Sequence, residues 1–172
     1  MNISNKAKSL SSSYHINKSF HLGSEGQRKY YESCKKAKFD IRKTSKQDDI
    51  NHVDFVVNDK TVDVKGLKVS HRQGNILLEI KNVQGYDGWC SEKGPEWIAF
   101  DFGAFFLNVK NSDLIKAYKK LCDLDSPAKN ANDCLYKGYT RKDRKDLMTM
   151  ITLRDTLNYC EHWFLPSQNI FN

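Results

Sequence analysis

The chain has 172 residues, enough for one domain with a sizeable core or a core with appendages. Hydrophobic residues make up 39% and charged residues 28%, with a formal net charge of +7 and a pI near 9.1. This balance favours a polyanionic partner, nucleic acid ahead of an anionic membrane, although a basic but inert protein fits the charge equally well. No apolar run approaches the ~20 residues of a membrane span. The N-terminus lacks the apolar stretch of a signal peptide, and the five cysteines, an odd number, show no zinc-type spacing. A cytoplasmic protein with reduced thiols and no membrane partner is expected.

Residues 1–20, rich in Ser, Asn and Lys, read as a basic N-terminal arm. A helix starts in GSEGQRKYYESCKKAKF, where Ser24 and Gln27 make a capping box and Tyr30, Tyr31, Cys34 and Ala37 form an apolar stripe. IRKTSKQDDINH reads as a polar connection. HVDFVV and TVDVKGL are strands joined at Asn58-Asp59, NILLEIKNV is a third strand, and GYDGWCSEKGP is a loop dense in turn residues. EWIAFDF and AFFLNV pair around Gly103. NSDLIKAYKKLC is an amphipathic helix behind an Asn111/Ser112 cap. Residues 123–140 read as loop, RKDRKD as a charge run, LMTMI as a short strand and LRDTLNYCEHWF as a final helix capped by Thr152. The order predicts an α/β or α+β domain with a mixed sheet.

Strand residues alternate faces, so a two-residue turn at Asn58-Asp59 fixes the pairing. Phe55 then meets Val62 on one face and Asp54 meets Asp63 on the other, with Lys65 next along. Two facing carboxylates repel unless a cation lies between them. Oxygen ligands of this kind suit Mg²⁺ or Mn²⁺, and Lys65 beside them suits a phosphate or its attacking water. The competing reading is a salt-bridged patch, with both aspartates neutralised by Lys65 and other lysines on a solvent-facing side of the sheet. A second register, Asp63 with Glu79 and Lys81, also satisfies a loose D…ExK pattern. The tight hairpin favours Asp54, Asp63 and Lys65.

This D-x8-D-x-K hairpin resembles the catalytic signature of the PD-(D/E)xK nuclease superfamily. In order, GSEGQRKYYESCKKAKFDIRK…VDFVV…VDVKG is similar to the archaeal Holliday junction resolvases and related phage or viral endonucleases. EWIAFDFGAFFLNVKNSDLIKAY resembles the strand–strand–helix that completes their core. The resemblance covers roughly residues 23–122. Val53 stands where the signature has proline, and the third acid is aspartate. The resemblance implies a restriction-endonuclease-like α/β core over residues 21–122, a mixed sheet flanked by helices, and a C-terminal extension over 123–172. It implies Mg²⁺- or Mn²⁺-dependent hydrolysis of DNA, often branched, by a homodimer. It makes Glu25 the helix acid, with Glu32 as fallback, Asp54 and Asp63 the metal carboxylates, Lys65 the catalytic lysine, and the Val64 carbonyl a metal ligand. Without it, Glu25 reads as an acid stabilising the helix dipole. The alternative function is a nucleic-acid-binding module of the same fold without activity.

Other residues bear on nucleic acid. Tyr86, Asp87, Trp89 and Lys93 lie in the Gly-rich loop, where aromatics stack on bases or, the commoner case for Trp89, cover the sheet edge. Lys137, Arg141, Lys142, Arg144 and Lys145, interleaved with Tyr136 and Tyr139, form a basic cluster suited to phosphate contact or to a solvated face. His52 and His71 have no partners at metal spacing. No nucleophile setting, phosphate loop or dinucleotide fingerprint is present.

Overall fold

A computed structural model describes residues 25–44 and 52–167. The expected basic arm over 1–20, Ser24 and the stretch 45–51 lie outside the described residues.

Helix α1 spans residues 25–36. It is followed by β1 (Ile41–Lys43), β2 (Phe55–Val57) and β3 (Lys60–Lys65), a short helix α2 (Val69–Arg72), and β4 (Asn75–Lys81). Then come β5 (Trp97–Asp101), β6 (Phe105–Lys110) and helix α3 (Asn111–Leu121). The chain ends with β7 (Asp123–Pro127), β8 (Lys137–Gly138), β9 (Leu147–Thr152), helix α4 (Leu153–Tyr159) and β10 (His162–Pro166). The main sheet has six strands in the order β1-β2-β3-β5-β6-β10. Within it only β3 and β5 run parallel. The chain is thus a mixed α/β fold with a mostly antiparallel sheet flanked by helices.

Alternation along the strands divides the core into two layers. On one face, Tyr30 and Cys34 of α1 pack on Ile41, Phe55, Val57, Val62, Val64, Ala99, Phe106 and Leu165. The Tyr30 hydroxyl donates to the Asn108 Oδ1 at 2.7 Å, which seats α1 on β6. On the other face, Ile98, Phe100, Leu107 and Val109 meet α3 (Leu114, Ile115, Ala117, Tyr118) and the β4–β9 pair (Ile76, Leu78, Ile151). Asp63 and Lys65 point to this second face, in register with Ile98 and Phe100.

Several expected elements differ. IRK is strand β1, an edge strand with one buried residue, where a polar connection was expected. NILLEIK pairs with β9 in a separate two-stranded sheet rather than lying in the main one. Residues 123–140 are not all loop: β7 and β8 form a parallel pair. The final helix does start at Thr152, whose hydroxyl accepts from the Asp155 N–H at 3.0 Å. It stops at Tyr159, and HWFLP becomes β10, hydrogen-bonded to β6. Asn111 is not a cap but a buried clamp, donating to the Trp89 and Pro95 carbonyls at 3.0 Å each. All five cysteines are free thiols. Among the described residues, no helix is long and apolar enough to cross a membrane.

Candidate functional site

The β2–β3 hairpin forms in the expected register, with Phe55 opposite Val62 and Val57 opposite Lys60. Asn58 and Asp59 take positive φ values of 46° and 64°, as a type I′ turn requires. The ladder stops at Phe55, and Asp54 continues it with its side chain. Its Oδ2 accepts the Val64 N–H at 2.8 Å, and its backbone N–H donates to the Val62 carbonyl at 2.9 Å. An inward N–H that lost its strand partner needs another acceptor, and the carboxylate supplies it.

Asp63 is 4% exposed. Its Oδ2 lies 2.6 Å from the Lys65 ammonium, a buried ion pair. The Lys65 ammonium also sits 4.8 Å over the ring of Trp89, which packs against Phe100. Lys65 is thereby held between a carboxylate and an aromatic face. The Asp54 carboxyl is pushed up to about 7, by burial first and by the neighbouring Asp63 charge second; the Val64 N–H and the Lys65 charge oppose the rise.

Lys68, just beyond β3, is exposed to solvent; surrounding protein lowers its pKa first and the Lys65 charge adds to the effect, while Glu79 and Asp63 oppose it. His71, buried on α2, bonds the Asp101 carbonyl through Nδ1 at 2.8 Å, and burial pushes its pKa down to about 4. It is a core histidine.

The start of α1 closes one side of the site. A Cβ on Gly26 would lie 3.0 Å from the Gly66 Cα, so the helix touches the backbone just after β3. From this position Gln27 donates its side-chain amide to the Asp54 Oδ1 at 2.7 Å. Lys29, one turn inward, pairs with buried Asp101 at 3.0 Å. Glu25 is exposed at the first described position of the helix. Among the described residues no three His, Cys, Asp or Glu side chains gather into a group able to hold a metal, so Glu25 is not brought together with both aspartates. Glu32 pairs with Arg28 at 2.8 Å. Gln27 was expected to serve as a cap, and nothing in its spacing marked it as a partner of Asp54.

Glu79 and Lys81 lie on β4, outside the main sheet, and Lys81 is exposed. In the basic cluster, Arg141 is committed to buried Asp146, which accepts from its backbone N–H at 3.0 Å and from its guanidinium. Lys137, Lys142, Arg144 and Lys145 are exposed. Trp89 is buried, and Tyr86 is 70% exposed.

A cleft of about 540 Å³ opens between His52 and the loop 82–94. Its lining does not include Asp54 or Asp63, but His52 lies two residues before Asp54, and Gly88 directly precedes Trp89. No protein-family model, curated protein or solved structure matches this chain.

Proposed function

We propose that this chain is a metal-dependent nuclease that hydrolyses DNA phosphodiester bonds, with Asp54 and Asp63 holding Mg²⁺ or Mn²⁺. The observation that carries the reading is two carboxylates side by side, Asp63 buried and Asp54 pushed up to about 7 by burial and by the Asp63 charge, with the Lys65 ammonium beside them. A salt-bridged surface patch would leave both acids in water. Here Asp63 is buried and one lysine serves two carboxylates, an arrangement that costs stability without a further cation. A bound divalent ion would polarise a phosphoryl oxygen and lower the pKa of a coordinated water. The chain's own residues orient the site: Gln27 and the Val64 N–H fix the Asp54 carboxylate. Lys65, pinned above Trp89, places a positive charge where an incoming phosphate needs it. The resemblance to PD-(D/E)xK nucleases would add Glu25 and the Val64 carbonyl as ligands; Glu25, exposed and apart from the two aspartates, would have to move to join them. That resemblance also supplies the restriction-endonuclease-like core, the preference for branched DNA and the homodimer. The parallel β3–β5 pair, with helices on both faces of the sheet, supports it. The net charge of +7 and exposed Lys137, Lys142, Arg144 and Lys145 support a DNA partner, with Arg141 bracing their turn.

One observation favours a second reading, a nucleic-acid-binding module without activity: the Asp63–Lys65 pair already neutralises one acid internally. Cleavage of linear, single-stranded and four-way-junction DNA with Mg²⁺, Mn²⁺ or EDTA, against Asp63→Ala, separates the two. Metal-dependent cutting that Asp63→Ala abolishes supports the nuclease. Binding without cutting on every substrate leaves the module.

A further inference from the structure

The cleft between His52 and the 82–94 loop presents a combination that neither the fold nor the aspartate pair needs. Its loop is tightly held. The Asn82 Oδ1 accepts from the Gln84 and Tyr86 N–H groups at 3.0 and 3.2 Å, and the Asn82 N–H donates to the Tyr86 carbonyl at 2.8 Å. Gly88 lies so close to β4 that a Cβ there would come within 2.4 Å of the Glu79 carbonyl oxygen. On this fixed loop the Tyr86 side chain nevertheless stands 70% exposed. Lys93 adds an ammonium whose ion pair with Asp87, at 3.4 Å and largely in water, opens at little cost.

A large aromatic ring on a rigid support gives up little entropy when it captures a flat ligand. Stacking tolerates any base, and a loosely paired ammonium suits the attached phosphate. We infer that this cleft takes an unpaired nucleobase of a bound DNA strand, stacked on Tyr86. The inference rests on the reading that the chain acts on DNA, and it narrows that partner to DNA with a single-stranded or splayed segment. A base inside a duplex is already stacked on both sides and reaches Tyr86 only after being extruded.

The test uses the full chain in EDTA, so that bound strands stay whole, with fluorescence anisotropy on a labelled single-stranded oligonucleotide and on a blunt duplex of the same sequence. Wild type binds the single strand more tightly. Tyr86→Ala weakens single-strand binding by roughly 5- to 150-fold, the range for loss of one stacked base. It leaves duplex binding and the melting temperature unchanged, and Tyr86→Trp restores the affinity. The inference is overturned if wild type does not bind the single strand, if Tyr86→Ala binds it as wild type does, or if both ligands weaken equally. Cleavage with Mg²⁺ is read separately. A chain that binds through Tyr86 and never cuts removes the nuclease reading and leaves this one standing; a chain that cuts single strands regardless of Tyr86 does the reverse.

Discussion

Gln27 holds Asp54: the amide at the start of α1 donates to the Oδ1 at 2.7 Å while the Val64 N–H serves the Oδ2. This contact ties the helix to the hairpin where Asp54 and Asp63 meet. A hydrogen bond to a charged group contributes about 1.5–3 kcal/mol. Gln27→Ala is therefore expected to lower kcat/KM for DNA cleavage by roughly 10- to 100-fold and to raise the metal concentration giving half-maximal rate. Gln27→Glu, which adds a third acid beside Asp54, should raise the Asp54 pKa further and shift the rate profile to higher pH. A metal titration at two pH values checks both.

The approach of α1 depends on Gly26. A Cβ at that position would meet the Gly66 Cα at 3.0 Å, and backbone cannot turn aside as a side-chain tip does. Gly26→Ala should lift the helix start, lengthen the Gln27–Asp54 contact and cost about 1–3 kcal/mol of stability, read as a lower melting temperature. Because both changes act through one contact, Gly26→Ala/Gln27→Ala should lose less activity than the product of the single losses.

Lys65 and Lys81 separate the two possible registers of the acid–lysine pattern. Lys65 is fixed between Asp63 and Trp89, whereas Lys81 is exposed at the end of β4. Lys65→Ala is expected to reduce cleavage by about 10²–10³-fold, as loss of one preorganised charge-stabilising group does, and Lys81→Ala to change it little. Loss of cleavage in Lys81→Ala alone would move the site to β4.

The hairpin was legible because turn chemistry and strand alternation agree there: Asn58 and Asp59 tolerate positive φ, and the register follows from the loop length. The β5–β6 pair was legible for the same reason, with Gly103 at φ 87° between the strands. What escaped depended on distant partners. Ile41 is the sole buried residue of β1, too little for a periodic signal. The apolar run of β4 says strand but not which strand pairs with it, and its partner β9 begins 66 residues after β4 ends, at Leu147 against Lys81 (147 minus 81). HWFLP was absorbed into a helical pattern because pairing with β6, not local propensity, makes it a strand. At the site, two acids and a lysine could be placed by alternation alone. Gln27 could not, because its role arises only from the close packing of Gly26 on Gly66.

The acid pair has a cost that pH should reveal. The Asp54 carboxyl is pushed up to about 7 in the fold, against 3.8 for a free aspartate, by burial and by Asp63. Between those values the folded chain keeps a proton that the unfolded chain has released, so stability falls as pH rises from about 4 to 7 and the penalty is complete above 7. At about 1.4 kcal/mol for each pKa unit, its upper limit is about 4 kcal/mol. Asp54→Asn removes the repulsion, keeps an acceptor for the Val64 N–H, leaves the Asp63–Lys65 pair intact, and lets the Gln27 amide turn over to face the new NH₂. Metal-free Asp54→Asn is thus expected to melt at a higher temperature than wild type at pH 8, to lose most of that advantage at pH 5, and to be inactive at both. Adding Mg²⁺ should raise the melting temperature of wild type at pH 8 and leave that of Asp54→Asn nearly unchanged, since bound cation stabilises the folded state in proportion to its affinity. Equal melting temperatures for the two proteins at pH 8 without metal would show that the acids do not oppose one another in the fold.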